Sequence, residues 1–570
     1  MVGVCVPSSC TQHDVIQQLD GSIYWRVLVQ QGMLQVTSAY SQKSPPIQGV
    51  TIAAICICSV VLLLNAIGTV YDVIIHQPRL LAIKRQKESE AQEPDLPVTL
   101  PDDKTFVMNA LPSNETPAAG DKTSVINTVP PKETPAAKEG AGTHIAGRVL
   151  LCFSLYTNIG KLLSTKQAPG SITCLHGIRF ISLTWVILAH TYGFARNRSH
   201  FDNPIEPFEI VKTFTFQAIN NSFIAVDSFF FLSGLLMSYV LLRQIAKKQA
   251  MGQSVPYGMV YFHRYWRLTP TYMFVLMLYM WVLPYMFSGP FWPKPPNGID
   301  PNCGKNWWTN LLYINNLVNS DKECMDWTWY LANDMQFFVI GVPLVYILYR
   351  WQIVGLVVQL VLLLASFITI AVISWQYDIK APRLTLYWPM YYVKPYCRIG
   401  PYLVGVFVGW MLNKINGNRQ TVRLLMAVGW LVAAASAVAV LYSPYGVYQG
   451  TAFKTEHEHV LYVTLHRTVW GMALGWVVLA CYYGYGGVVD IILSWKALVP
   501  LSKLTYCAYL GHLLVVLAVY LSRDLPIHFT SFSMIYFFLG HVALAYAFAF
   551  LVSVAVEIPL VQLETIIFKR

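Results

Sequence analysis

About eleven stretches of roughly 20 predominantly apolar residues recur along the chain, and that repetition decides what it can fold into. A hydrocarbon layer about 30 Å thick needs that length of helix to cross it, because each backbone N–H and C=O must be paired within the segment. The stretches fall near 50–75, 172–194, 222–242, 268–288, 329–349, 353–374, 396–413, 424–442, 468–488, 504–521 and 532–556. Only 12% of the 570 residues are charged and 55% are hydrophobic, whereas soluble proteins carry about 25% charged residues. A soluble fold cannot hide so much apolar surface. The sequence therefore predicts an all-α polytopic membrane helical bundle, and excludes a cytosolic enzyme, a secreted domain and a DNA reader.

The charge that remains is placed with a bias. Lys and Arg total 40 against 29 Asp and Glu, a net charge of +11. No basic block is interleaved with aromatics, so nucleic acid is not an expected partner. Basic residues instead collect in cytoplasmic loops. Arg79, Lys84, Arg85 and Lys87 follow the first stretch, against Arg26 and Lys43 before it. Alternation then gathers Lys247, Lys248, Arg264, Arg267, Lys414, Arg419, Arg423, Lys496, Lys503, Lys569 and Arg570 on the cytoplasmic side. The opposite gaps hold a glycosylation sequon, Asn197-Arg-Ser199, and the pair Cys303 and Cys324. With Cys5 and Cys10 near the start, these cysteines suit disulfides on an oxidising side. The expectation is a multi-pass glycoprotein of the plasma membrane or an endomembrane, with its N-terminus extracellular or luminal and its C-terminus cytoplasmic.

Met1 runs into VGVCVPSSC without a long apolar region, so the first span is expected to act as its own signal-anchor, unless upstream sequence is missing. The expected organisation is an outer segment over 1–49, a transmembrane helix over 50–75, a linker over 76–145 and a transmembrane domain over 146–570. Pro, Ala, Thr, Glu and Lys dominate residues 86–145, which reads as disordered.

Several ionisable groups lie inside apolar stretches, where each needs a partner or a wet cavity. Arg179 and His190, eleven residues apart, share one helix face about 16 Å apart. The pair fits an interfacial anchor plus an interhelical hydrogen bond. It also fits a general base, because imidazole titrates near neutrality and can take a proton from a hydroxyl. Arg264 and Arg267 sit one helical turn apart in YFHRYWRLTP, read as a cytoplasmic loop; two guanidinium forks suit donor phosphates, and equally a topology signal. Asp227 opens VDSFFFLSGLL near the outer end, as a cap or as a partner for a cation. Asp334 enters the fifth span from outside, Arg398 stands at the mouth of the seventh, and Tyr506, Tyr509 and His512 recur at three-residue steps in the tenth. The run Glu456, His457, Glu458, His459 with His466 lies in a loop without supporting cues, and no metal is expected.

Taken together, LHGIRFISLTWVILAH, VDSFFFLSGLL, RYWRLTP, WTWYLANDMQFF, KPYCRIGPYLVG and LSKLTYCAYLGH resemble, in order and position, the acyltransferase 3 superfamily of integral-membrane acyltransferases. Within it they are most similar to the animal group named nose resistant to fluoxetine, and GVCVPSSCTQHDV resembles the end of that group's Cys-rich outer domain. The resemblance covers about residues 146–556. It implies ten core helices and an acyl group moved from cytoplasmic acyl-CoA, as co-substrate, to a hydroxyl acceptor. It also implies that Arg179 with His190, and Arg264 with Arg267, match the family's motifs. His190 would be the base with Asp227 or another polar neighbour fixing its tautomer, and Arg179, Arg264 and Arg267 would hold the donor. Asp334, Arg398, Tyr506 and His512 are secondary candidates. A transporter of lipids or small apolar molecules, as members of the nose-resistant group are described, is the alternative. A receptor-like scaffold is a third reading.

Overall fold

The computed structural model describes residues 46–90, 144–167, 170–197, 201–289, 291–293, 298–379, 387–414, 423–451 and 455–568. Cys5, Cys10, Ser199 of the sequon and most of the linker lie outside the described residues. Among the described residues there are ten helices long and apolar enough to cross a membrane, and no named strand. In chain order they are α1 (Gly49–Gln86), α2 (Leu175–Ala195), α3 (Ser222–Ala250), α4 (Tyr257–Met286), α5 (Asp326–Arg350) and α6 (Gln352–Gln376). The shorter α7 (Ile399–Lys414) follows, then α8 (Met426–Tyr448), α9 (Glu456–Tyr482), α10 (Leu498–Leu521) and α11 (Ser531–Phe568). The protein is a polytopic all-α membrane bundle, and α7 fills the place of the expected seventh span.

Burial separates the centre from the rim. In α10, 83% of the most apolar stretch is buried, and in α3 78%, against 17% in each of α1, α6 and α8. Helices that are apolar all round but bare on most sides face lipid. The centre is α3 against α7, and it depends on glycine. A Cβ on Gly234 would stand 2.2 Å from the Tyr402 carbonyl oxygen, and one on Gly405 2.1 Å from that of Phe231. Gly405 and Gly409 are spaced four apart, the small-residue pattern that lets two backbones touch.

Two boundaries differ from expectation. α4 begins at Tyr257, so Arg264 and Arg267 sit within a membrane helix rather than in a loop. The first helix also runs on past residue 75, and a π-turn, Asp72–His76, interrupts it. Buried Asp72 there accepts hydrogen bonds from Ser154 and Thr157, and the Asn65 amide donates to the Ala555 carbonyl at 3.1 Å. These contacts fasten the lipid-facing α1 to the segment before α2 and to α11. Glu456 to His459 form the first turn of α9, capped by Thr455, and not a loop.

Cys303 and Cys324 form a disulfide in the segment between α4 and α5. Chain alternation places the start of α1 on this disulfide face, and the Tyr285 hydroxyl there donates to the Pro46 carbonyl at 3.2 Å. The segments joining α2 to α3, α6 to α7, α8 to α9 and α10 to α11 lie on the same face.

Candidate active site

The site is built where α2 and α10 cross. His190 Nδ1 lies 2.8 Å from His512 Nε2, and the two rings stack with centroids 5.0 Å apart. His512 Nδ1 in turn lies 2.6 Å from the Tyr509 carbonyl oxygen. A carbonyl can only accept, so His512 carries its proton on Nδ1. In a neutral ring Nε2 is then the acceptor, and His190 must donate from Nδ1. The consequence is a bare lone pair on His190 Nε2. The Tyr509 hydroxyl donates to the Trp327 carbonyl and holds α10 against the start of α5.

His190 is half-buried because it faces a cavity of about 610 Å³. Phe194, Phe223, Trp327, Trp329, Tyr330 and Tyr509 supply much of its wall, and Phe201, Phe529 and Trp388 close it from segments of the disulfide face. An aromatic cavity with few polar groups is the usual shape of a small-molecule site. Trp327 is part of this wall, and its indole N–H is buried without a hydrogen-bond partner.

The other polar residues singled out in the sequence separate into three groups. Asp227 does not serve His190: its Oδ2 accepts from Arg398 Nη1 at 2.9 Å and lies 3.9 Å from Arg467 Nε, with all three side chains buried. The orienting contact expected from Asp227 or another polar neighbour is made by His512. Arg398 also donates to the Tyr392 carbonyl at 2.8 Å and stacks on the rings of Tyr392 and Trp329, at 4.4 and 4.7 Å. Because both rings line the cavity, this charge cluster stiffens its wall from behind.

Arg264 forms an ion pair with Asp334 and lies 4.4 Å over the Phe338 ring. That guanidinium is committed inside the bundle. Arg267, one turn on, is exposed and within electrostatic reach of the half-buried Arg179. Among the described residues neither of these two has a carboxylate partner. Tyr330 links the ends of the site: it lines the cavity of His190 and lies near Arg179, Arg264 and Asp334. The Tyr506 hydroxyl donates to the Leu268 carbonyl at 2.7 Å, tying α10 to α4. Cys397 and the disulfide of Cys303 with Cys324 lie outside the cavity wall.

Sequence reading alone named His512 only as a secondary candidate and missed Trp327. His512 was legible only as one rung of a ladder, since its partner is 322 positions away. Trp327 carried no signal beyond being one of many tryptophans.

The family model described as Acyltransferase domain matches residues 172–558, which includes every helix from α2 to α10 and most of α11. Nose resistant to fluoxetine protein 6 of Caenorhabditis elegans is 33% identical over all of this chain, which spans 66% of that protein's length. Regulator of hypoxia-inducible factor 1 of the same organism is 24% identical over 66% of this chain and 76% of its own. No solved structure matches. The chain therefore belongs to the acyltransferase 3 family of multi-pass membrane proteins, in its nose-resistant-to-fluoxetine group.

Proposed function

We propose that this protein is an O-acyltransferase that takes an acyl group from acyl-CoA and gives it to a hydroxyl acceptor seated in the aromatic cavity. The observation that carries the reading is the bare Nε2 of His190, produced by the His512 relay on the cavity wall. The acceptor oxygen attacks the thioester carbon while Nε2 removes its proton. The carbon–sulfur bond then breaks, and the imidazolium returns the proton to the thiolate.

Arg267 and Arg179 supply the phosphate contacts, since guanidinium forks recognise phosphate bidentately. Arg264, held by Asp334, fixes the helix that carries Arg267. This assignment makes the face opposite the disulfide cytoplasmic, where acyl-CoA is found, and sets the N-terminus outside.

The test is acyl-CoA consumption by purified protein. General-base loss in His190→Ala should lower kcat about 10²–10⁴-fold, with acyl-CoA binding intact. Wild-type turnover in that variant would end the proposal. A carrier of lipids or apolar molecules is the second reading, favoured by the nearly continuous aromatic lining. It is supported if uptake into vesicles proceeds without acyl-CoA and survives both His190→Ala and Arg267→Ala.

A further inference from the structure

A second, smaller pocket of about 360 Å³ opens on the disulfide face beside the large cavity. The two share the side chains of Phe194, Asp326, Trp327 and Trp388, so they adjoin along that wall. The chemistry of the smaller one is opposite to that of its neighbour. Asp300, Asp321, Glu323 and Asp326 all line it.

Glu323 is the informative member. It is 5% exposed, and neither carboxylate oxygen completes a hydrogen bond, although the Trp388 indole lies close by. A buried carboxyl with both oxygens unmatched costs stability unless it stays neutral or a cation lies beside it. The nearest cation, Lys394, is spent elsewhere: its ammonium donates to the Asn316 carbonyl at 2.9 Å and to Ser320 Oγ at 3.2 Å.

We infer that this pocket receives the ammonium head of an amphiphile whose apolar part lies in the aromatic cavity. A hard divalent metal fits less well. It would need about six to eight oxygens at 2.3–2.6 Å, and Asp300 already spends its carboxylate on the backbone N–H groups of Asn302 and Met325. The remaining wall includes Phe194, Tyr279, Trp327 and Trp388, rings whose faces attract a bulky, weakly hydrated cation. Burial, and then the nearby Asp326 charge, pushes the Glu323 carboxyl up to about 9. Asp300 acts in the same direction, Lys394 opposes it, and the phenols of Tyr272 and Tyr509 also lie within reach. An arriving ammonium would stabilise the carboxylate and release that proton.

Applied to the acyl acceptor, this inference rests on the proposed function, since it makes the acceptor an amino-alcohol amphiphile; the pocket itself is testable without turnover. Octyltrimethylammonium and its uncharged counterpart 1-octanol are titrated calorimetrically into the full-length protein. Wild type should prefer the ammonium compound, and Glu323→Gln should weaken it about tenfold or more while leaving 1-octanol unchanged. Asp326→Asn, at an exposed carboxylate, should weaken it in the same direction and covers the case in which Glu323→Gln fails to fold. Equal affinity for both compounds, or displacement of the ammonium by Ca²⁺ alone at millimolar concentration, would overturn the inference. The titration reads binding alone and acyl-CoA consumption reads turnover, so failure of acyl transfer and failure of the pocket give different results.

Discussion

Two polar groups are sunk in this bundle near the same face, and they behave in opposite ways. The trio of Asp227, Arg398 and Arg467 is joined by ion pairs, yet every member is buried and both arginines lie over aromatic rings. The pair of His190 and His512 needs no formal charge, yet one ring opens onto a cavity of about 610 Å³. Ionisable residues in a membrane span are costly wherever they occur, so cost alone does not identify chemistry. What separates the two is empty space beside a group with a lone pair to spare. The charged trio backs the wall, and the histidine pair faces the space in front of it.

The sharpest way to break this comparison is to remove one charge from the packed trio. Asp227→Ala should cost about 3–5 kcal/mol of stability, because it leaves two buried guanidinium groups without their carboxylate. A thermal midpoint close to wild type would show the trio to be dispensable to the fold. Next in size is the orienter. His512→Ala should lower kcat about ten- to a hundredfold at unchanged KM for acyl-CoA, and His512→Gln should recover most of it, because its amide oxygen can accept from His190 Nδ1–H. A purely structural His512 would lose activity equally in both variants. Arg267→Ala should raise KM for acyl-CoA about tenfold with little change in kcat, read from initial rates at varied donor concentration.

The last test concerns pH. Glu323 holds its proton in the folded protein up to about 9, whereas the unfolded chain releases it near the ordinary value of 4.5. Between those values the folded state binds more protons than the unfolded one, so this group's contribution to stability falls as pH rises. Glu323→Gln should therefore raise the thermal midpoint by a few degrees at pH 9 and leave it unchanged near pH 4. The reverse trend would mean that the carboxyl is ionised and paired.

Most of the fold was legible, and less of the site. Apolar stretches of sufficient length locate helices because lipid leaves the backbone no other solution. The spacing of Arg179 and His190 placed them on one face of α2 for the same reason. The start of α4 was misread because RYWR looks like a loop to any count of apolar residues. Arg264 can enter the membrane only because Asp334, 70 positions on, neutralises it there. The Asp227–Arg398 pair spans 171 positions and the two histidines 322, distances over which local pattern carries no information. The Cys303–Cys324 disulfide was readable because both cysteines fall in one polar segment.

The glycine contacts between α3 and α7 have a mechanical consequence. Backbones that meet without an intervening layer of side chains have nothing to slide or repack, so these two helices move as one body. They form a fixed spine through the protein. Any breathing that admits or releases a molecule falls instead to helices joined by side chains, such as α4 and α5, whose Arg264–Asp334 clasp can open and close without unthreading the centre.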